Sequence, residues 1–491
     1  MKNTVSLTKS KSDSAVYSLL AGVFILRMIY VSTMGLAPDE AYYWDWSRNP
    51  AAGYFDHPPM VAWLIYLSTR VFGATLLGVK FMVVACSFVA TLFIYFLAEK
   101  YVNKISAFII LFLLANFTVL FGIGGLVATP DIPMVMFWAI GLFAAYNLFF
   151  ENSRWSWILL GAAMGCGLLS KYIFGLFIMS VLLFLVCSKA HRSFLFSKRL
   201  FGAFLISFVI FLPNIYWNSH HEWVSIMFQF NHGLGGKAFP RFDLLLEYIG
   251  GQIGILSIFP FILLVMAVIN IFRLNENKIK NFYLLIFSAV PLLFFGFSSL
   301  KKHVEPNWPC GAYISGLLLI AILWEYAYNK KKNRLKQVIL FSTVITCLTT
   351  IIILVHIQCP FLPLPSVNDP AYQIRGRKQW AQDIDAVRKT IDLTKTLPVC
   401  TKNYQDAALL AFYLHDHPKV VALNFTGRPN QYSLPEIKSG IPGKKVLVIV
   451  RTPRPEFLNC LDSIGNSTPV FLSINSKTKK QYEVFTAIVP E

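Results

Sequence analysis

SWILLGAAMGCGLLSKYIFGLFIMSVLLFLVC (156–187) is the stretch on which the fold turns. It is apolar almost throughout and too long for one crossing, because a spanning helix needs about 20 residues. One charge, Lys171, falls near its middle. A lysine is costly in hydrocarbon, so the sequence predicts two short helices, 156–170 and 172–188, that meet at a membrane face. A single long helix would reverse the sidedness of everything downstream and place KKKNRLK (330–336) outside. Segments rich in Lys and Arg stay on the cytoplasmic side during insertion. The split is therefore the reading that fits.

Further apolar runs lie at 15–37, 79–98, 105–126, 132–150, 200–217, 253–272, 282–300, 310–328 and 337–359. With the split stretch they make about eleven spans, up to thirteen, in a polytopic α-helical membrane protein. Starting inside, the cytoplasmic segments include SKAHRSFLFSKR (188–199), FRLNENKIKN (272–281) and YNKKKNRLKQ (328–337). Residues 1–14 form a polar cytoplasmic tail with Lys2, Lys9 and Lys11. The run 15–37 exceeds the apolar core of a signal peptide and lacks a small-residue cleavage site, so it is expected to be an uncleaved first helix.

Composition agrees. Of 491 residues, 56% are hydrophobic and only 14% are charged, against about 25% charged in a soluble chain. The net charge of +19 comes from basic loops flanking apolar spans. The basic residues are not interleaved with aromatics on a soluble face, so nucleic-acid binding is excluded. The eight cysteines form no metal pattern. Cys359, Cys400 and Cys460 would lie outside, where one disulfide is allowed.

From 360 onward the apolar runs shorten. LPVCT (397–401), KVVALNF (419–425), KKVLVIV (444–450) and 481–489 look like strands, with a helix at 404–415. The chain is thus expected to divide into the tail, a membrane domain over 15–359, and a small α/β domain over 360–491 outside the membrane.

The outside loops hold the chemistry. APDEAYYWDWSRNPAAGYFDHPPMVAW (37–63) packs Asp39, Glu40, Asp45, Asp56 and His57 among aromatics that include Tyr54. An interfacial aromatic belt explains Tyr and Trp there but not the carboxylates. In GLVATPDIPMVMFW (125–138), Asp131 either caps the next helix or serves a site. Lys171 either snorkels or meets an anion. The loop 218–250 adds His220, His221, His232, Lys237 and Arg241, and SSLKKHVEPNWPCGAY (298–313) adds Lys301, Lys302, His303, Glu305 and Trp308. Basic groups outside oppose the insertion bias, and a lipid phosphate is a natural partner for them. Arg27, inside the first span, faces either the bundle interior or a ligand.

Asp39-Glu40 after the first span, GYFDHPP (53–59), TPD (129–131), LLSKY (168–172) and EPNWP (305–309), in that order, resemble the GT-C glycosyltransferases of family 39. That family holds the protein O-mannosyltransferases and the lipid A aminoarabinose transferases. NYQDAALLAFYLHDHP (403–418) and NQY (430–432) are similar to the outside domain of its bacterial members. The resemblance implies an inverting transfer, on the outer face of the inner membrane, from a polyprenyl-phosphate sugar to lipid A, lipopolysaccharide or protein. It places Asp39, Glu40 and Asp131 at the reacting centre and Lys171, His57, Lys301 and Lys302 at the donor phosphate. Asp56, Tyr54, His303, Glu305 and Trp308 are further site candidates. Where aminoarabinose transferases carry an acidic residue and then Lys, this chain has Asp56-His57, and Tyr42 stands in place of an Arg.

A departing polyprenyl phosphate needs cations or a metal beside it. Glu40, Asp56, His221, His57 and Asp131 could bind a divalent ion such as zinc, magnesium or manganese, though no short spacing motif supports one. An acceptor hydroxyl needs a base, for which Asp39 is the first choice. The rival reading, a lipid-linked sugar flippase or other transporter, predicts paired charges within the spans, or two related halves with broken helices. The charges instead cluster in the outside loops, and no internal repeat is evident.

Overall fold

The computed structural model describes residues 2–234, 239–274, 277–365, 369–425, 427–438, 440–474 and 478–491, with backbone alone for 2–13 and 232–234. Lys237 and the side chain of His232 lie outside the described residues. The chain divides into two compact units. One comprises Met1–Ile29, His57–Val61 and Phe81–Leu354; the other comprises Tyr30–Asp56, Ala62–Lys80 and Val355–Glu491.

The first unit is helical. Among the described residues of the whole chain, six helices are long and apolar enough to cross a membrane: Ser14–Val31, Leu76–Ala98, Asp131–Phe150, Lys198–His220, Lys278–Ser299 and Asn333–Gln358. Two bent pairs bring the number to eight if each pair is one crossing. Ile105–Phe117 turns by 64° into Val119–Leu126, and Phe242–Leu256 turns by 105° into Ile258–Ile269. Such bends free backbone carbonyls that need new donors in an apolar setting. The buried Arg27 guanidinium supplies them at the first bend, donating to the carbonyls of Asn116 and Phe121, each at 3.1 Å. Arg27 faces the bundle interior.

The split at Lys171 is present. Ser156–Ser170 ends, Lys171 is extended (φ −159°, ψ 134°), and Tyr172–Phe174 leads into Gly175–Cys187. Gly167 makes the break possible: a Cβ there would lie 2.4 Å from the Phe174 ring. Helix Ser156–Ser170 also packs closely on Lys198–His220, where a Cβ on Gly161 would meet the Ala203 carbonyl at 2.6 Å. Small residues at helix contacts are how apolar bundles gain packing without a hydrophobic driving force.

The second unit carries a five-stranded sheet of order β2-β1-β3-β5-β4. The strands are β1 (Val399–Thr401), β2 (Val420–Ala422), β3 (Lys445–Arg451), β4 (Thr468–Ser473) and β5 (Lys479–Ile488). β1 runs parallel to β2 and β3, whereas β5 is antiparallel to β3 and β4. Helix Tyr404–Tyr413 is the crossover from β1 to β2. Helix Arg377–Ile391 packs Trp380 against Tyr482 of β5, ring centroids 4.7 Å apart. Four strands and the crossover helix match the sequence reading. The edge strand β4, which carries Pro469, does not announce itself because only alternate residues are buried. All eight cysteines are free, so the disulfide that the sequence allowed is not formed.

Candidate functional site

In the second unit the first loop folds as helix Pro38–Ser47. Proline at the first helical position suits its start. All its residues except Asp39 and Asp45 are buried, so the aromatics Tyr42, Tyr43, Trp44 and Trp46 are packing groups. The helix entry is locked electrostatically. Glu40 Oε2 accepts from the Ala37 N–H at 2.9 Å and from Lys80 Nζ at 3.0 Å, and Lys80 also donates to the Gly35 carbonyl at 3.2 Å. Both side chains of the Glu40–Lys80 pair are 0% exposed. Tyr54 has a packing role as well, stacked on Trp46 with ring centroids 4.5 Å apart.

This scaffold presents two carboxylates. Asp39 is exposed and accepts from the Tyr404 hydroxyl at 3.2 Å. Asp56 is buried and accepts from the Tyr42 hydroxyl and the Arg428 guanidinium, each at 2.7 Å. Crowding by protein raises the Asp39 carboxyl above its ordinary value, opposed by the Tyr404 hydrogen bond and the Arg428 charge. Asp56 is pushed up to about 6, chiefly by burial and further by the charge of Asp39. Both carboxylates therefore sense Arg428. Sequence reasoning missed Arg428, Tyr404 as a partner of Asp39, and Lys80. The one available signal was Lys80, a charge at the start of an apolar run.

Folded Asp56 keeps its proton to about pH 6, whereas the ordinary value is 3.8. Its contribution to stability is present below 3.8 and is lost as pH rises through 6. The Asp56–Arg428 ion pair forms over the same rise. Activity is therefore expected to have an acid limb near pH 6, and Asp56→Asn should remove that limb from the pH–rate profile.

In the first unit, Asp131 opens helix Asp131–Phe150 but caps no backbone N–H through its side chain. It pairs instead with Lys171, Nζ to Oδ1 2.8 Å, the two side chains 5% and 12% exposed. Asn307 donates to Asp131 Oδ2 at 3.2 Å, and the Cys310 thiol approaches Oδ1 at 3.8 Å. An apolar cavity of about 360 Å³ in the same unit is lined by Leu168, Tyr172, Leu176, Phe230, Phe295 and Trp308, among others. Leu168 and Tyr172 flank Lys171, and Trp308 follows Asn307. Gln229, also in the lining, donates Nε2 to His57 Nδ1 at 3.3 Å.

The remaining candidates of this unit sit apart from that pair in their contacts. Lys301 stacks its ammonium over Phe297 at 5.1 Å, and Lys302 donates to the Asn231 carbonyl at 3.1 Å. His303 bridges Glu247 and Glu305 at the surface, at 3.2 and 3.4 Å. His221 donates Nδ1 to the Trp217 carbonyl at 2.8 Å and stacks on that ring. Among the described residues no three His, Cys, Asp or Glu side chains are grouped to hold a metal ion. Glu40 and Asp56, named as ligands, are engaged by Lys80 and Arg428.

A family model described as dolichyl-phosphate-mannose-protein mannosyltransferase matches residues 56–217. The lipid A galacturonosyltransferase RgtD of Rhizobium johnstonii is 24% identical over 300 residues, 60% of this chain and 61% of that protein. An undecaprenyl phosphate-alpha-4-amino-4-deoxy-L-arabinose arabinosyl transferase of Pseudomonas aeruginosa is 31% identical over 180 residues, 33% of this chain and 32% of that one. The chain thus spans less than two thirds of the length of these curated relatives. The crystal structure of ArnT from Cupriavidus metallidurans bound to undecaprenyl phosphate covers 96% of this chain and 98% of its own, with TM-score 0.65 and 14% identity. The apo structure gives TM-score 0.64. At that identity the likeness is one of fold. The family match over part of the chain and the shared fold make the chain similar to these membrane glycosyltransferases.

Proposed function

We propose that the protein transfers a sugar, with inversion, from a polyprenyl-phosphate donor to lipid A or lipopolysaccharide on the outer face of the inner membrane. A protein hydroxyl is the second acceptor class. The observation that carries the reading is an apolar cavity whose wall includes Tyr172 and Trp308, the chain neighbours of Lys171 and of Asn307, which donates to Asp131. The cavity suits a lipid chain, and the ammonium suits the phosphate that the chain bears. The name of the arabinosyl transferase and the undecaprenyl phosphate in the ArnT structure support the same donor class, and the name of RgtD supports lipid A as acceptor.

In the reaction, the acceptor oxygen bonds to the anomeric carbon while the bond from that carbon to the phosphate oxygen breaks. Lys171 and His57 meet the charge that develops on the departing phosphate. Asp39 takes the proton from an acceptor hydroxyl. An acceptor phosphate is already ionised, and Asp39 would then orient it or stabilise charge at the anomeric carbon. The reading keeps about eleven spans from a cytoplasmic N-terminus, a tail over 1–14, a membrane domain over 15–359 and a periplasmic domain over 360–491. A divalent ion, if one belongs to the site, would show as loss of transfer in EDTA and recovery with zinc, magnesium or manganese.

The direct test is the purified protein in liposomes with radiolabelled undecaprenyl-phosphate sugar and lipid A, with products read by mass spectrometry. Label that reaches no acceptor while the donor crosses the bilayer would replace a transferase by a transporter. Lys171→Ala is expected to raise the donor KM by about tenfold or more, from the loss of one charged hydrogen bond. The variant also leaves Asp131 buried without its cation, so Lys171→Ala/Asp131→Asn should recover stability but not donor affinity.

A further inference from the structure

The second unit holds a cleft of about 690 Å³ at the carboxyl ends of its parallel strands. Lys402 and Asn403 follow β1, Asn424 and Gly427 follow β2, and Arg451 and Arg454 end and follow β3; all six line it. In the strand order, β1 leads to β2 on one side and β3 pairs on the other. The cleft therefore lies where the connections diverge, the place at which open α/β sheets bind ligands.

Its chemistry is one-signed. Among the described residues, no acidic side chain lines the cleft. Arg451 and Arg454 are exposed, and neither guanidinium has a hydrogen-bond or ion-pair partner among the described residues. The Lys402 ammonium lies over the Phe457 ring, at 5.9 Å. Elsewhere in this unit some cations have acidic partners, as Arg388 has Asp416 at 2.9 Å and Lys395 has Asp385 at 3.0 Å.

The cleft walls are also the loops that build the carboxylate pair. Asn403 precedes Tyr404, which donates to Asp39, and Gly427 precedes Arg428, which donates to Asp56. Asn424 ties the two features together by donating to the Arg428 carbonyl at 2.8 Å. An anion held in the cleft thus lies one residue along each loop from the side chains that touch the carboxylates.

We propose that this cleft holds a phosphate on the sugar headgroup of the acceptor glycolipid, through Lys402, Arg451 and Arg454, and so delivers an acceptor oxygen to Asp39. The assignment to the acceptor rests on the transferase reading above; the phosphate site itself does not.

The test uses the full-length protein in detergent with two probes, lipid A and the same lipid A after phosphatase treatment. Wild type should bind the phosphorylated form about tenfold or more tightly, as expected for charged hydrogen bonds. Arg451→Ala/Arg454→Ala should lose that preference, whereas Arg451→Lys/Arg454→Lys should keep most of it, with thermal unfolding confirming that both fold. In the transfer assay the Ala pair should raise KM for the acceptor and leave KM for the donor unchanged. A wild type indifferent to the phosphate, or an Ala pair that retains the preference, overturns the proposal. Equal competition by millimolar inorganic phosphate overturns the assignment to a lipid headgroup. Selective binding without any sugar transfer overturns the transferase reading and leaves the phosphate site standing.

Discussion

Asp39→Asn is expected to lower turnover by about 10²- to 10⁴-fold, the usual worth of a positioned general base, with donor affinity and thermal unfolding nearly unchanged. The geometry argues for so clean a separation. Asp39 is an exposed acidic residue on a helix whose other residues are mostly buried, and its carboxylate accepts a hydrogen bond from Tyr404. An amide oxygen can accept that bond equally well, so the fold loses little. What the amide cannot do is accept a proton at the pH of the reaction. Single-turnover kinetics with saturating donor would show the loss in the chemical step. Wild-type turnover by Asp39→Asn would contradict the base role.

Lys80→Met is expected to have the largest effect on folding. Glu40 and Lys80 are both fully enclosed, and removing one member of a buried pair typically costs about 3–5 kcal/mol because the other charge is stranded. Here the stranded carboxylate also anchors the Ala37 N–H at the helix entry, so the helix that carries Asp39 should loosen with it. Lys80→Met/Glu40→Gln removes both charges and keeps the acceptor for that N–H. It should recover most of the unfolding temperature in detergent. If Lys80→Met alone unfolds at the wild-type temperature, the clamp is not what holds the helix.

Much of the architecture was legible because membrane helices are written in long apolar runs. Each of the expected apolar stretches meets a helix, and the break at Lys171 was readable from a single charge. The bend at Ser257 was not, since IGILSIFPF is apolar on both sides of it and hydropathy does not register a change of direction. The carboxylate loops could be found because acidic residues among aromatics fit no packing rule. Their partners could not be found. Arg428 lies in a polar segment where an arginine is unremarkable, and it reaches Asp56 only through the folding of residues far apart in sequence. Asp131 and Lys171 were each picked out, but periodicity carries no information that they bond to each other.

The two short helices that meet at Lys171 have a consequence for the lipid around them. At 1.5 Å per residue, fifteen or sixteen residues reach only about 22–24 Å, against a hydrocarbon thickness of about 30 Å. If both cross, the bilayer must thin by several ångströms alongside them. Headgroups would then sink toward the ammonium rather than the ammonium rising to meet them. Reconstitution in phospholipids of graded acyl length should reveal it, with turnover falling as the chains lengthen.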